Sequence, residues 1–343
     1  MESLSLDPAT IADTTETAFF SGARSFRTLP TGSFVSRIPD VNLADQKTLR
    51  SAISCVGIGL HTGARISLRM EPAPADTGIV FQRTDIAAQP LIACYGNVVD
   101  TRLSTVLGES AVSHNRVATI EHLMAALHGR GIDNVRIFVN GPELPVLDGS
   151  AADFLFLLDC AGIAELDEPR REIEILKPLR VENGDAFAML RPGAGSGLSL
   201  QMTIDFAAGA IGCQKLTVDL DETVFRRDLS FSRTFTDRRE IDALHRAGLA
   251  LGGSLDNAIV VDGMDILNPT GLRARDEFVR HKLLDAVGDL YLAGARLRGE
   301  FVGHKSGHQL NNQLLLALFA DRTAWRWVEK RVAGTAVPRR VAA

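Results

Sequence analysis

A chain of 343 residues that is 45% hydrophobic and 23% charged can fill two ordinary domains with real cores. Its net charge of -5, with no basic run and no aromatic–basic stripe, argues against nucleic acid as a partner. Four scattered cysteines without a CxxC pair argue against a disulfide framework or a cysteine zinc site, and no apolar run approaches the ~20 residues of a membrane helix.

The first residues lack the basic start and apolar run of a signal peptide, so the expected location is cytoplasmic, without stable membrane insertion. Residues 1–45 are rich in Ser, Thr, Ala and Asp and show no sustained period, which predicts a disordered N-terminal extension. A first α+β domain is expected over 46–168. Within it, Gly57 to Gly63 suits a tight turn, and Arg65 to Pro72 alternates as a half-buried strand does. Ile79 to Arg83 is a second strand. Ile120, Leu123, Met124 and Leu127 predict a helix over about 119–128, ended by Gly129 to Gly131. Asp133 to Gly141 reads as a strand and Asp153 to Ala161 as an apolar helix closed by Gly162.

Polar residues and a proline at 167–170 mark a boundary, and a second α+β domain is expected over 169–325. Strands are expected near 173–176, 186–190 and 199–204, and helices over 276–293 and 309–319. Asp256 to Gly263 weakly echoes Asp133 to Gly141, which is compatible with two similar halves. Residues 326–343 read as a C-terminal tail.

Chemistry concentrates on two of these helices. On the helix over 276–293, His281 and Asp285 stack one turn apart, with Asp289 a further turn on, roughly 180° from the stripe of Val279, Leu283, Val287 and Leu290. His and Asp at i, i+4 can hold one metal ion; the bland alternative is a solvated polar face. On the first helix, His122 lies nearly opposite the apolar stripe. If the halves meet, it can complete a three-ligand site that leaves one position for water. Glu121 projects about 100° from His122 and suits a general base. His308, after Ser306 and Gly307, can be a proton donor or a helix cap. His61 and His304 remain candidates from their Gly-rich surroundings, whereas His114, His128 and His245 read as surface residues.

Several motifs together carry a resemblance. Thr119-Ile120-Glu121-His122-Leu123, Pro145 to Ala151, Arg280 to Asp289, Lys305-Ser306-Gly307-His308, Gly59 to Gly63 and Leu251 to Ser254 resemble the zinc-dependent UDP-3-O-acyl-N-acetylglucosamine deacetylases of Gram-negative lipid A synthesis, collinearly from about 46 to 325. The resemblance implies one Zn2+ per chain, with Fe2+ as the alternative in the cell, held by His122, His281 and Asp285. It implies Glu121 as base, His308 as acid positioned by Asp289, Thr234 as the hydroxyl that polarises the amide carbonyl, and Lys282 as a stabiliser of substrate or developing charge. Leu103, Phe235 and Lys305 match positions near the substrate, and Ile241, Ser254, Ala258 and Val260 match the lining of an acyl-chain passage. Ser104 stands where some members carry a cysteine near the metal, which removes any inhibitory contact of that kind. The implied fold is α+β, two similar domains, each a helix layer on a β-sheet, packed helix layer to helix layer. The implied partner is a UDP-linked acylated glucosamine, and the expected state is a monomer. Two rivals stand beside this reading: a metal-free nucleotide-sugar binding module, and a dehydratase acting on acyl thioesters, for which the chain is short.

Overall fold

The structure, a computed structural model, describes residues 44–329; the stretches expected as an extension over 1–43 and as tail over 330–343 lie outside the described residues. Order starts at Asp45–Leu49, which pairs antiparallel with Ile163–Pro169, so the boundary stretch near 167–170 is largely strand rather than linker. At the other end, Trp325–Glu329 is a strand paired antiparallel with Arg171–Ile175. That corrects the expected tail, whose alternation over five residues is too short to stand out in sequence.

A five-stranded sheet runs in the order Ile53–Ile58, Arg65–Pro72, Val135–Val139, Ile79–Arg83, Leu91–Ile92. Period-two alternation drives it: Ile66, Leu68 and Met70 turn inward from one strand and Val135, Ile137 and Val139 from the next. A seven-stranded sheet is built around Arg296–His304, which pairs parallel with Leu198–Asp205 along one edge. Before Gly299 it pairs parallel with Arg171–Ile175, and past Gly299 antiparallel with Ala186–Arg191. Gly299 has φ 155, and a Cβ there would lie 2.7 Å from the Arg191 carbonyl, so the switch of partner requires glycine. Two three-stranded sheets complete the β structure, one of them Phe235–Asp237, Ile259–Asp262 and Asp265–Ile266. Ile259–Asp262 therefore sits in a small sheet while Val135–Val139 is central in a large one, and the weak sequence echo between them does not mark equivalent strands.

Six helices accompany these sheets among the described residues: α1 Glu121–Arg130, α2 Ala152–Ala161, α3 Glu222–Val224, α4 Arg238–Arg246, α5 Glu277–Tyr291 and α6 His308–Ala320. None is long and apolar enough to cross a membrane. The mixture of helices with mostly antiparallel sheets is the class expected.

α1 and α5 pack against each other, and α5 also rests on Leu198–Asp205 and against α6. Their apolar stripes are buried as the periodicity predicts, but so are Glu121, His122, His281, Asp285 and Asp289. The polar stripe faces an internal cleft, not bulk water. The helices approach closely at Gly288, where a Cβ would lie 2.0 Å from the Glu121 carbonyl oxygen. This contact brings the first turn of α1 beside the Asp285–Asp289 turn of α5. α1 ends at Gly131 in the left-handed conformation, φ 75. His128, expected at the surface, is buried there, its ring 4.9 Å from that of Tyr291. Burial and the neighbouring Arg296 and Arg170 charges hold its imidazole well below the ordinary histidine range.

Candidate active site

α1 supplies Glu121 and His122 from its first turn, and α5 supplies His281, Lys282, Asp285 and Asp289. His122 Nε2 lies 3.6 Å and His281 Nε2 3.3 Å from Asp285 Oδ1. The three ligand atoms fall within 4.8 Å of one another, and all three residues are buried. His281 Nδ1 lies 3.0 Å from the Ser232 carbonyl, which fixes the tautomer with the proton on Nδ1 and leaves Nε2 free to ligate. Ser232 is held in place because Arg233 Nε, next in the chain, donates to Glu277 Oε1 at 2.9 Å, and both side chains are buried. Burial brings the His281 imidazole down to about 3, so it is neutral at pH 7 as a ligand must be. Asp285 Oδ2 accepts from Lys282 Nζ at 2.7 Å, while Oδ1 is buried and accepts nothing. Burial opposes the Asp285 charge, but the Lys282 ammonium beside it overrides burial and holds the carboxyl well below its ordinary value. Two imidazole nitrogens and a carboxylate oxygen left without a donor fit a divalent cation, and the donor set suits zinc.

Around this triad sit two groups that can move protons. Burial raises the pKa of Glu121 above the ordinary carboxyl value, and its Oε2 accepts from the Thr105 N–H at 3.0 Å. His308 opens α6, with Gly307 as N-cap. Its Nδ1 lies 2.9 Å from Asp289 Oδ2. Burial would lower this imidazole, but the Asp289 charge and hydrogen bond prevail and push it up to about 9. Asp289 is itself fixed by Asn311 Nδ2 at 2.8 Å and by the Thr105 hydroxyl at 2.6 Å.

A small cavity of about 30 Å3 is lined by Glu121, His122, His281, Lys282, Asp285 and His308, and by Leu60, Leu103, Thr119, Thr234 and Phe235. It abuts a larger one of about 330 Å3, with which it shares Leu60, Leu103, Thr234 and Phe235. Thr234 is set at this junction by its N–H, which donates to the Gly149 carbonyl at 2.8 Å.

A family model described as UDP-3-O-acyl N-acetylglycosamine deacetylase matches residues 46–320. The chain belongs to this deacetylase family. Curated relatives named UDP-3-O-acyl-N-acetylglucosamine deacetylase include one from Acidithiobacillus ferrooxidans, 50% identical over 290 residues, covering 83% of this chain and 93% of the relative. Another, from Anaeromyxobacter dehalogenans, is 47% identical over 292 residues, 85% of this chain and 92% of the relative. A third, from Photobacterium profundum, is 48% identical over 286 residues, with 82% and 92% covered. The deacetylase match spans every site residue named above.

The larger cavity gathers Ile241, Ser254, Ala258 and Val260, expected as one group, together with His61. Two of the deacetylase motifs build its wall jointly: the Leu251 N–H donates to the His61 carbonyl at 3.1 Å and the Gly252 N–H to that of Leu60 at 3.0 Å. Lys305 lines neither cavity, and its Nζ is engaged by Asp185 at 2.8 Å and Asp205 at 3.1 Å. His304 stacks on Phe187 outside both cavities, and Ser104 is buried without lining either. Thr105 and Asn311 were missed by the sequence reading. They are polar residues in unremarkable contexts, and their use becomes visible only when chain positions 105, 289 and 311 are brought together.

Proposed function

We propose that this protein is a zinc amidohydrolase that removes the N-acetyl group from UDP-3-O-(3-hydroxyacyl)-N-acetylglucosamine in lipid A biosynthesis, giving acetate and the free amine. The observation that carries the reading is one small cavity in which His122, His281 and Asp285 converge, flanked by Glu121 and His308 and opening onto a larger apolar cavity. His122, His281 and Asp285 would hold one Zn2+, or Fe2+ in the cell, which when bound supplies Lewis-acid polarisation and acidifies water.

The chain's own groups do the rest. Glu121, with a raised pKa, accepts the proton of the attacking water at neutral pH. The Thr234 hydroxyl polarises the amide carbonyl and, with His308, stabilises the charge that develops on its oxygen. Lys282, tied to Asp285, adds positive charge on the same side. His308, kept protonated and oriented by Asp289, donates its proton to the leaving amine. Leu103 and Phe235 lie against the acylated sugar, and Ile241, Ser254, Ala258 and Val260 line the passage of its acyl chain. Lys305, held by Asp185 and Asp205, would approach the nucleotide only by exchanging those carboxylates for phosphate. In the same reading the fold is two similar α+β halves, 46–168 and 169–325, meeting helix layer to helix layer through α1 and α5.

The test pairs metal analysis with acetate release. His281→Ala and Asp285→Ala should lose metal. Glu121→Ala should keep it and lose turnover, because a base is not a ligand. Metal lost equally from all three, or no acetate from the wild-type protein with metal bound, overturns the assignment.

A further inference from the structure

Thr119 stands two residues before Glu121, between the bridge that Ala118 makes with Glu143 and the Ile120 cap of α1. Its φ is 58, the left-handed region, where a β-branched side chain is strained and Gly or Asn fits more easily. Its side chain is 4% exposed, and its hydroxyl has no hydrogen-bond partner in the protein. Burying a hydroxyl unpaired destabilises the folded chain. Two penalties thus fall on one residue, and that residue lines the cavity of Glu121, His122, His281, Asp285 and His308.

A core threonine normally satisfies its hydroxyl on a nearby carbonyl. This one has no partner in the protein, and its residue borders the reaction cavity, where a bound molecule can supply one. We propose that the Thr119 hydroxyl is a substrate contact, hydrogen-bonded to a polar group of the bound amino sugar beside the scissile amide. It adds to the polar groups that border the cavity, Thr234 among them. The left-handed turn is then functional: it directs the hydroxyl into the cavity from a position next to the base. This rests on the deacetylase reading of the site.

The variants that decide it are Thr119→Val, which keeps shape and β-branching but removes the hydroxyl, and Thr119→Ser, which keeps the hydroxyl. Thr119→Val should retain metal and melt at or above the wild-type Tm, because an unpaired polar group has been replaced by a methyl. Its kcat/KM for acetate release should fall about fivefold to tenfold, the worth of one neutral hydrogen bond. Thr119→Ser should stay within about twofold of wild type, the resolution of such kinetics. A structural hydroxyl would do the reverse, lowering Tm and sparing the kinetics of whatever folds. A Thr119→Val enzyme with wild-type kcat/KM, or one several degrees less stable, overturns the inference while leaving the deacetylase reading intact. A wild-type protein that releases no acetate overturns both.

Discussion

At the scale of single residues, the most informative pair is His308 and Asp289. Burial alone would leave this imidazole neutral at pH 7; Asp289 reverses the outcome and holds it up to about 9. A proton donor must be charged before the step, so the basic limb of the kcat profile should follow this group. A cation bound at the neighbouring ligands opposes the shift, which puts the limb at or below about 9. Asp289→Asn removes the supporting charge, so the limb should move down toward the ordinary histidine value of 6.5. The loss of kcat at pH 7 should be smaller than the about 10²–10⁴ expected for His308→Ala, which removes the acid altogether. In metal-depleted protein the same pair contributes stability that is full below pH 6.5 and is lost as pH rises through about 9, because the folded-state pKa is the higher one. Asp289→Asn should flatten that decline. The profile of kcat against pH, with thermal melts of the metal-depleted proteins, checks both; an unshifted basic limb in Asp289→Asn would remove Asp289 from the acid's support.

At the scale of elements, the two site helices were legible because helical periodicity is local. Ile120, Leu123, Met124 and Leu127 fixed the inner face of α1, and Val279, Leu283, Val287 and Leu290 that of α5. Sequence placed the start of α1 at Thr119, two residues early, because a left-handed residue leaves no mark on an apolar pattern. What lies opposite the stripes stayed open between a solvated face and a shared site, since a polar face looks the same in sequence whether it meets water or a closed cleft. Gly288 is where that cleft is set. With its Cβ position 2.0 Å from the Glu121 carbonyl oxygen, Gly288→Ala must push α1 away from α5. The nearest atoms all belong to the Glu121 backbone, so no flexible side chain can yield. The expected loss of stability is about 1–3 kcal/mol, the usual range for overpacking. Turnover should fall by about 10²-fold, because Glu121 and His122 move with α1 while Asp285 moves with α5. Gly96→Ala, whose added Cβ meets nothing within 4 Å, serves as the control. Urea titrations and acetate release on both variants test this; wild-type stability and turnover in Gly288→Ala would mean that the helices slide without consequence.

At the scale of the whole molecule, the site depends on distant segments, and that is where sequence alone ran out. The hydroxyl of Thr105 reaches Asp289 across 184 positions, and nothing around Thr105 announces it. The residues that motif resemblance groups, Leu103, Thr234, Ile241, Ser254, Ala258 and Val260, all border the two cavities. The long side chain of Lys305 pairs with Asp185 and Asp205, which no local pattern predicts. The larger cavity then yields a quantitative expectation. Its wall is predominantly apolar, so an acyl chain should gain about 0.8 kcal/mol for each methylene it buries, roughly fourfold in kcat/KM per carbon until the space of about 330 Å3 is filled. Ala258 is buried in that wall, and Ile259, next in the chain, donates its N–H to the Thr234 carbonyl at 2.8 Å. A large side chain at 258 should therefore occupy the space of the chain's distal carbons. Ala258→Trp should flatten the chain-length series by raising KM for long acyl groups, and should change kcat/KM little for a substrate with a very short one. The short substrate also reports any displacement of Thr234, since that would lower its turnover too. A fourfold-per-carbon slope that survives in Ala258→Trp would put the acyl chain in some other groove.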